Sequence, residues 1–405
     1  MNILIINCGS SSIKFQLFVM PAENLIAQGK AEKGSNGETW FQFESGGKQK
    51  EKKWEGFSYQ KNFDVILGEL VYPENRCINS LEDIDAVGHR LIHGGEEETG
   101  CVEITELLLE KMKASVSLAP LHYPPNIEGI EIITRNLPEV FQAGVFDTAF
   151  HATLPDKAFL YGLPLEWYKK HRIRRYGFHG TSHKYASEKG CELAGVNYSG
   201  SKVVSCHLGN GASLAAVKFG KSVDTTMGFT PVEGLLMGTR SGDIDAGLIL
   251  HLQENYNLSI AGIQQLLNKK GGLLGLSGVS SDYRAVEKAA ASGNEQAQTA
   301  LDVYHYRIKK YIGAYAAAMG GLDVLVFTGG IGENSAGARA TVCDEMEFLG
   351  IQLSAEKNSN ADGSEILIHE KDSKVRVAII PANEELVIAR KVAELAKWKL
   401  KDKSG

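Results

Sequence analysis

The sequence predicts an α/β fold in two large domains built on an internal duplication, and three observations carry that prediction. Segments with the strand period of two alternate with segments of helical period along the whole chain, the mark of a layered α/β architecture. A chain of 405 residues would overstretch one core, since a domain takes about 150. A glycine-tipped apolar hairpin occurs at residues 3–18 and again at 203–218.

The elements follow in order. Residues 3–7 read as a buried strand, 8–12 as a turn, and 13–18 as a partner strand in which Ile13, Phe15 and Leu17 alternate with Lys14 and Gln16. Residues 31–62, with Gly46-Gly47 and Lys48, Lys50, Lys52 and Lys53, read as polar hairpins on a solvated surface. Strands are expected at 86–90 and 143–146, and helices at 104–114, 127–135 and 182–194. The second hairpin sets strands 203–208 and 212–218 around Gly209-Asn210-Gly211, so that Asn7-x-Gly9 is matched by His207-x-Gly209. Ser259, Ser281 and Asn383 read as N-caps, and Gly320-Gly321 closes a long helix ahead of a strand at 323–327. The stretch from Glu384 begins acidic and ends in Lys397, Lys399 and Lys401, which suits both ends of a helix dipole.

Composition excludes several classes. A net charge of −6 offers no positive field for a polyphosphate backbone, so nucleic acid is not an expected partner. No run reaches the roughly 18 apolar residues of a membrane span, and Met1-Asn2-Ile3-Leu4-Ile5-Ile6 lacks the basic start of a signal peptide. The six cysteines contain no Cys-x-x-Cys and read as reduced thiols of a cytoplasmic protein. The 44 glycines exceed the usual share without a collagen period, so many must serve tight turns.

Three of those turns could bind anions. Asn7-Cys8-Gly9-Ser10-Ser11-Ser12 presents N–H groups and hydroxyls at a strand turn, with Lys14 close by; in isolation an ordinary hairpin turn is the better explanation, and the repeats further along the chain change that balance. His207-Leu208-Gly209-Asn210-Gly211 and Thr328-Gly329-Gly330-Ile331-Gly332-Glu333-Asn334 repeat the pattern, and three phosphate-type turns suit a nucleotide. Arg90 follows a short strand in His89-Arg90-Leu91-Ile92-His93-Gly94-Gly95, and Arg240 lies in Gly238-Thr239-Arg240-Ser241-Gly242. Their planar donor forks match carboxylate or phosphoryl oxygens, although structural salt bridges would use them as well. His179 and His183 precede or open a helix at the i, i+4 interval, which also leaves a zinc pair open. Asp147 ends a buried strand where α/β folds bind ligands, or caps a helix. Glu384-Glu385 either complements a helix dipole or supplies hard oxygens for Mg²⁺.

Together these segments resemble the acetokinase family, within the acetate and sugar kinase, heat-shock ATPase and actin superfamily. The resemblance covers residues 7–15, 89–95, 146–151, 174–183, 207–213, 224–247, 280–284, 328–335 and 383–390. It implies a duplicated ββαβαβα-type (ribonuclease H-like, actin-like ATPase) two-domain architecture with an interdomain cleft. Residues 1–150 plus about 383–405 would form the acyl side and about 151–382 the nucleotide side. It implies reversible ATP-dependent phosphorylation of acetate to acetyl phosphate in a homodimer, with Mg²⁺, replaceable by Mn²⁺, and ATP/ADP as co-substrate. Matched residue by residue, Arg90 holds the acyl carboxylate, Arg240 and His179 the transferring phosphoryl group, Asp147 is the essential acid and His122 a further catalytic histidine. Asn7 and Glu384 serve the metal. Ile92, Leu121, Phe178 and Pro231 line the acyl pocket. Ser10, Ser12, Lys14, His207, Leu208, Gly209, Asn210, Gly211, Asp282, Tyr283, Arg284, Gly330, Ile331, Gly332, Glu333 and Asn334 match nucleotide positions. A propionate kinase shares every one of these motifs, and a chaperone-type ATPase shares the phosphate turns but needs no carboxylate clamp.

The chemistry suits those residues. A carboxylic acid is already ionised at neutral pH, so the nucleophile needs no general base. The obstacle is an anion approaching an anionic phosphoryl group, and its remedy is positioning and charge neutralisation.

Overall fold

The computed structural model describes residues 1–34, 36–75, 77–114, 116 and 123–402. The chain divides into two compact units, Met1–Ala149 with Asn383–Gly405, and Phe150–Ala382.

In the first unit, β1 (Asn2–Gly9), β2 (Ser12–Val19), β3 (Asn24–Lys33), β4 (Glu38–Ser45), β5 (Lys48–Glu55), β6 (Ala86–Leu91), β7 (Cys101–Glu103) and β8 (Phe141–Phe146) form one sheet in the order β5-β4-β3-β2-β1-β6-β8-β7. Helices α1 (Tyr59–Val71), α2 (Glu106–Ala114) and α3 (Tyr123–Asn136) follow the strands in sequence, and the C-terminal helix Glu384–Asp402 returns to this unit. Strand β1 is apolar on both sides because both are covered. Leu4 and Ile6 join Phe63 and Ile66 of α1 and Ile132 and Ile133 of α3. Ile3 and Ile5 join Ile388, Ala389 and Val392 of the C-terminal helix. A Cβ on Gly88 would stand 2.7 Å from Ile5 and 2.9 Å from Val392, so glycine here lets that helix lie close to the sheet.

Several expectations need correction. The first turn is two residues long, because Cys8 and Gly9 stay paired with Ile13 and Ser12. Arg90 lies within β6 rather than in a loop after it. Residues 31–62 are not merely a solvated surface: Ala31, Phe41 and Phe43 turn inward, and Phe15 stacks on Phe41 and Phe43 with ring centroids 6.4 and 6.1 Å apart. Only β5, the sheet edge, meets the polar expectation, and its lysines blunt it against edge-to-edge pairing.

In the second unit, β9 (Lys202–Leu208), β10 (Ala212–Lys218), β11 (Lys221–Thr225), β12 (Val324–Thr328), β13 (Ile366–Leu367) and β14 (Arg376–Ile379) form a sheet ordered β11-β10-β9-β12-β14-β13. Two antiparallel pairings, two parallel pairings and an antiparallel edge succeed one another. The run β3-β2-β1-β6-β8-β7 has the same sequence of pairings, so the repeat read from two hairpins extends to six strands of each sheet, with β4 and β5 added at one edge of the first. Helices α4 (Gly180–Ala194), α5 (Tyr283–Ala291), α6 (Glu295–Met319), α7 (Gly329–Asn334) and α8 (Ala336–Cys343) belong here. Gly320 ends α6 in the left-handed conformation. Asp282, not Ser281, caps α5, because its carboxylate reaches the Arg284 N–H at 3.0 Å. Asn383 does cap the C-terminal helix, accepting from Leu386 N at 3.3 Å.

Candidate active site

Each unit gathers part of the chemistry around its doubled hairpin. In the first unit, Asp147 directly follows β8, and its N–H donates to Leu91 O at 2.8 Å, which continues the ladder and brings its carboxylate to the neighbouring strand. There Arg90 donates from Nε to Oδ1 at 2.9 Å and from Nη2 to Oδ2 at 2.7 Å, a bidentate pair with Asp147 only 1% exposed. Glu384 closes on the same guanidinium, Oε2 lying 3.1 Å from Nε. Burial opposes the charge of Arg90, but Asp147, Glu384 and Glu385 outweigh it and drive its pKa up. Burial pushes Asp147 up, Arg90 pulls it back, and the two glutamates leave the net direction upward. Glu385 is raised by burial and by Glu384. Three carboxylates around one arginine leave an excess of negative charge.

The adjoining hairpin is anchored from behind. Asn126 of α3 donates to Cys8 O at 2.9 Å and accepts from Ile92 N at 3.3 Å, and Tyr59 donates to Gly9 O at 2.5 Å. A Cβ on Gly129 would stand 2.6 Å from Cys8 Sγ, so glycine permits this approach. Asn7 and Lys14 face each other across β1 and β2. Neither Asn126 nor Tyr59 was marked by sequence reasoning, since their partners are 118 and 50 residues away. Ile92 packs beside the Leu91, Tyr123 and Phe146 cluster. Leu121 and His122 lie outside the described residues.

In the second unit, His179 holds φ 56° at the start of α4. Its Nδ1 meets Ser213 Oγ at 2.9 Å, and its ring lies 4.3 Å from that of His207, whose Nδ1 meets Ser182 Oγ at 2.8 Å. His183 is fully buried and bonds Ser205 at Nδ1 and Ser213 at Nε2. Both its nitrogens are thereby committed, which leaves no lone pair for the zinc pair considered above. Arg240 is half-buried, with Nη1 donating to Pro231 O at 3.3 Å and facing Met237 Sδ at 3.8 Å. Among the described residues it has no carboxylate partner, and burial draws its pKa down. A Cβ placed on Gly211 would stand 3.5 Å from His179 Nε2 and 3.7 Å from Arg240 Nη1. Glycine therefore leaves an atom-sized space between an imidazole and an uncompensated guanidinium, suited to an anionic oxygen. Phe178 is buried, its carbonyl accepting from or facing His151 Nε2 at 3.0 Å.

The remaining matched positions divide. Gly209 N donates to Gly211 O, and Gly238 N to Asn210 O, which locks the second hairpin turn to the arginine loop; Leu208 is buried at the end of β9. Gly330, Ile331, Gly332, Glu333 and Asn334 form α7 directly after β12, and nothing stands within 4 Å of a Cβ on Gly330. Arg339, wholly buried and unmarked in the sequence, donates from Nη1 to Gly332 O and Glu333 O at 2.9 Å each and so caps that turn. Asp282 and Arg284 are exposed and paired with each other at 2.6 Å. Tyr283 departs from expectation: its side chain is a core member, 4% exposed and bonded to His305 at 2.8 Å, so only its backbone remains available to a nucleotide.

A divalent cation fits the donor chemistry of the first unit, where Asn7 offers an amide oxygen and Glu384 and its neighbours hard carboxylates with surplus negative charge. No cluster of three or more His, Cys, Asp or Glu side chains poised for a metal occurs among the described residues, so the cation would need substrate oxygens and water to complete its shell.

The sequence matches the Acetokinase family over residues 2–390. An acetate kinase of Bacteroides thetaiotaomicron is 50% identical over 398 residues, covering 98% of this chain and all of that protein. The crystal structure of Porphyromonas gingivalis acetate kinase superposes with a TM-score of 0.91 at 47% identity, covering 97% of this chain and 99% of that one. A propionate kinase structure from Francisella tularensis gives the same TM-score at 41% identity, with coverage of 97% and 99%.

Proposed function

The chain belongs to the acetokinase family, and from that premise we propose that it is an acetate kinase, transferring the γ-phosphoryl group of ATP reversibly to acetate by direct in-line displacement. The observation that carries the mechanism is Arg240, a half-buried guanidinium without a carboxylate partner among the described residues, beside His179 and above Gly211.

In this reading the second unit handles the phosphoryl group: Arg240 and His179 neutralise and orient its oxygens, and the turns at 207–211 and 330–334 hold the nucleotide. The first unit handles the carboxylate. Arg90 already gives its Nε proton and one Nη2 proton to Asp147 and Glu384, which leaves Nη1 and the second Nη2 proton to draw acetate into line. Asp147 orients Arg90 and takes no proton from acetate, which is ionised without help. Asn7 and Glu384 would hold Mg²⁺, which when bound would supply charge neutralisation for phosphate oxygens. Ile92, partly buried against the Leu91, Tyr123 and Phe146 cluster, serves the acyl side within the first unit. A homodimer is part of the proposal, supported by exposed apolar side chains in the second unit such as Tyr256, Ile260 and Tyr306. A cytoplasmic location is supported by six free cysteines.

The test is a hydroxamate assay for acyl phosphate with a panel of short carboxylates. One methylene in an apolar pocket is worth about 1–3 kcal/mol, so acetate should lead propionate by roughly tenfold or more in kcat/KM. Equal or better turnover of propionate would reassign the enzyme as a propionate kinase, and ATP hydrolysis without acyl phosphate would remove the kinase reading altogether.

A further inference from the structure

Ser213 Oγ, wholly buried in β10, lies 2.9 Å from His179 Nδ1 and 2.7 Å from His183 Nε2. A hydroxyl has one proton to give and two lone pairs; if both nitrogens donated, the buried Ser213 proton would have no acceptor among the described residues, so one nitrogen accepts and the other donates. The direction is decided at the far end of the chain. His183 Nδ1 meets Ser205 Oγ of β9 at 3.0 Å, Ser205 is 0% exposed, and His183 is its side chain's hydrogen-bond partner among the described residues. Were His183 the donor there, the Ser205 proton would be buried with nothing to receive it, at the full desolvation cost of a hydroxyl donor. With Ser205 donating, every proton is used: Ser205 to His183 Nδ1, His183 Nε2 to Ser213, and Ser213 to His179 Nδ1. His179 then keeps its own proton on Nε2, the nitrogen that shares the Gly211 space with Arg240.

We propose that Ser205, His183 and Ser213 form a directional hydrogen-bond relay that fixes His179 as the Nε2–H tautomer, a donor to the transferring phosphoryl group, which makes both serines positioning residues for the reaction. The inference rests on the proposed role of His179. The reversed relay would turn a lone pair toward an anion. Neighbouring histidines stay outside the chain. His151 spends its nitrogens on Ser222 Oγ and Phe178 O, and His207 holds Ser182 through Nδ1. Burial keeps His183 neutral, its pKa well below the ordinary 6.5, so it can act as acceptor at one nitrogen and donor at the other.

Nitrogen NMR of the full-length enzyme labelled with ¹⁵N-histidine reads the tautomer directly, with His179→Gln identifying the resonances. The expected spectrum shows a pyridine-like shift for His179 Nδ1 and a pyrrole-like shift for Nε2 near neutral pH. The opposite pattern, or shifts averaged between the two, overturns the relay, and this measurement on the parent enzyme holds even where a variant fails to fold. In Ser205→Ala the His179 shifts should become averaged and kcat should fall at least about tenfold, as expected when a catalytic imidazole loses its tautomer, with KM for ATP and acetate unchanged; Ser205→Thr should restore both. An unaltered His179 tautomer in Ser205→Ala overturns the proposal. Full kcat in His179→Ala overturns the catalytic role of His179 itself, and does so whichever tautomer the spectrum shows.

Discussion

Replacing Arg240 by alanine should separate catalysis from folding more cleanly than any other single change in the second unit. In the folded chain the guanidinium makes one hydrogen bond of 3.3 Å to Pro231 O and a 3.8 Å contact to Met237 Sδ, with no carboxylate partner among the described residues. One such bond contributes about 1 kcal/mol net, and removing a charge that burial disfavours offsets part of it, so stability should change by no more than about 1 kcal/mol. The transition state is a different matter. Losing one preorganised donor from charge that develops during reaction costs about 10² to 10³ in rate, equivalent to about 2.7–4 kcal/mol. Steady-state kinetics with ATP and acetate varied, using the hydroxamate readout, should therefore show kcat reduced by that factor while urea unfolding stays near the parent. Added guanidinium should restore part of the loss. A kcat within about threefold of the parent, worth under 1 kcal/mol, would refute the assignment, and so would a loss of activity matched by a comparable loss of stability.

Gly211→Ala should fold normally, because its Cβ would make only ordinary contacts at 3.5 and 3.7 Å, yet kcat should fall on the order of 10²-fold because the methyl group displaces the phosphoryl oxygen; normal kcat would show that this space is not used. Glu384→Ala should raise the Mg²⁺ concentration for half-maximal rate, with Glu385→Ala as control, whereas a bare helix-dipole role would cost about 0.3–1 kcal/mol of stability and leave the Mg²⁺ requirement unchanged. Stability should fall as pH drops from about 6.5 to 4, with the raised carboxyls of Asp147 and Glu385 offsetting part of the loss. Burial lowers His89, His93, His151 and His305 to about 4, so the folded state binds fewer protons than the unfolded one in that window and stability present above 6.5 drains away as pH falls. A urea midpoint that stays flat from pH 6.5 to 4.5 would contradict this.

The hairpin that each unit carries was legible because alternation and glycine act locally: Ile13, Phe15 and Leu17 face one way and a turn must follow Gly9. The sheets behind them were not, since Gln42 and Lys-rich β5 mask the inward Phe41 and Phe43. Arg90, Asp147 and Glu384 were legible as charges in glycine-rich or strand-end settings. That they form one cluster was not, because Arg90 and Asp147 meet through strand register and Glu384 arrives from the other end of the chain. Ser205, Ser213 and Arg339 carried no signal at all. Each lies in an apolar or helical run where its residue type is unremarkable, and its partner is set by the fold rather than by spacing.

The return of the C-terminal helix bears on how the molecule is made. One face of the first sheet, with Ile3, Ile5, Ala86 and Val145, is covered by Ile388, Ala389 and Val392, which are translated only after the roughly 230 residues of the second unit. At about 5–20 residues per second, that interval lasts roughly 12–45 s. During it the second unit, continuous in sequence, has all it needs to fold, while the earlier-made unit carries a bare apolar β-surface and an Arg90 that still lacks Glu384. A nascent chain in this condition is a natural client for holding chaperones, and its vulnerability to aggregation during synthesis should exceed anything measured on the finished protein.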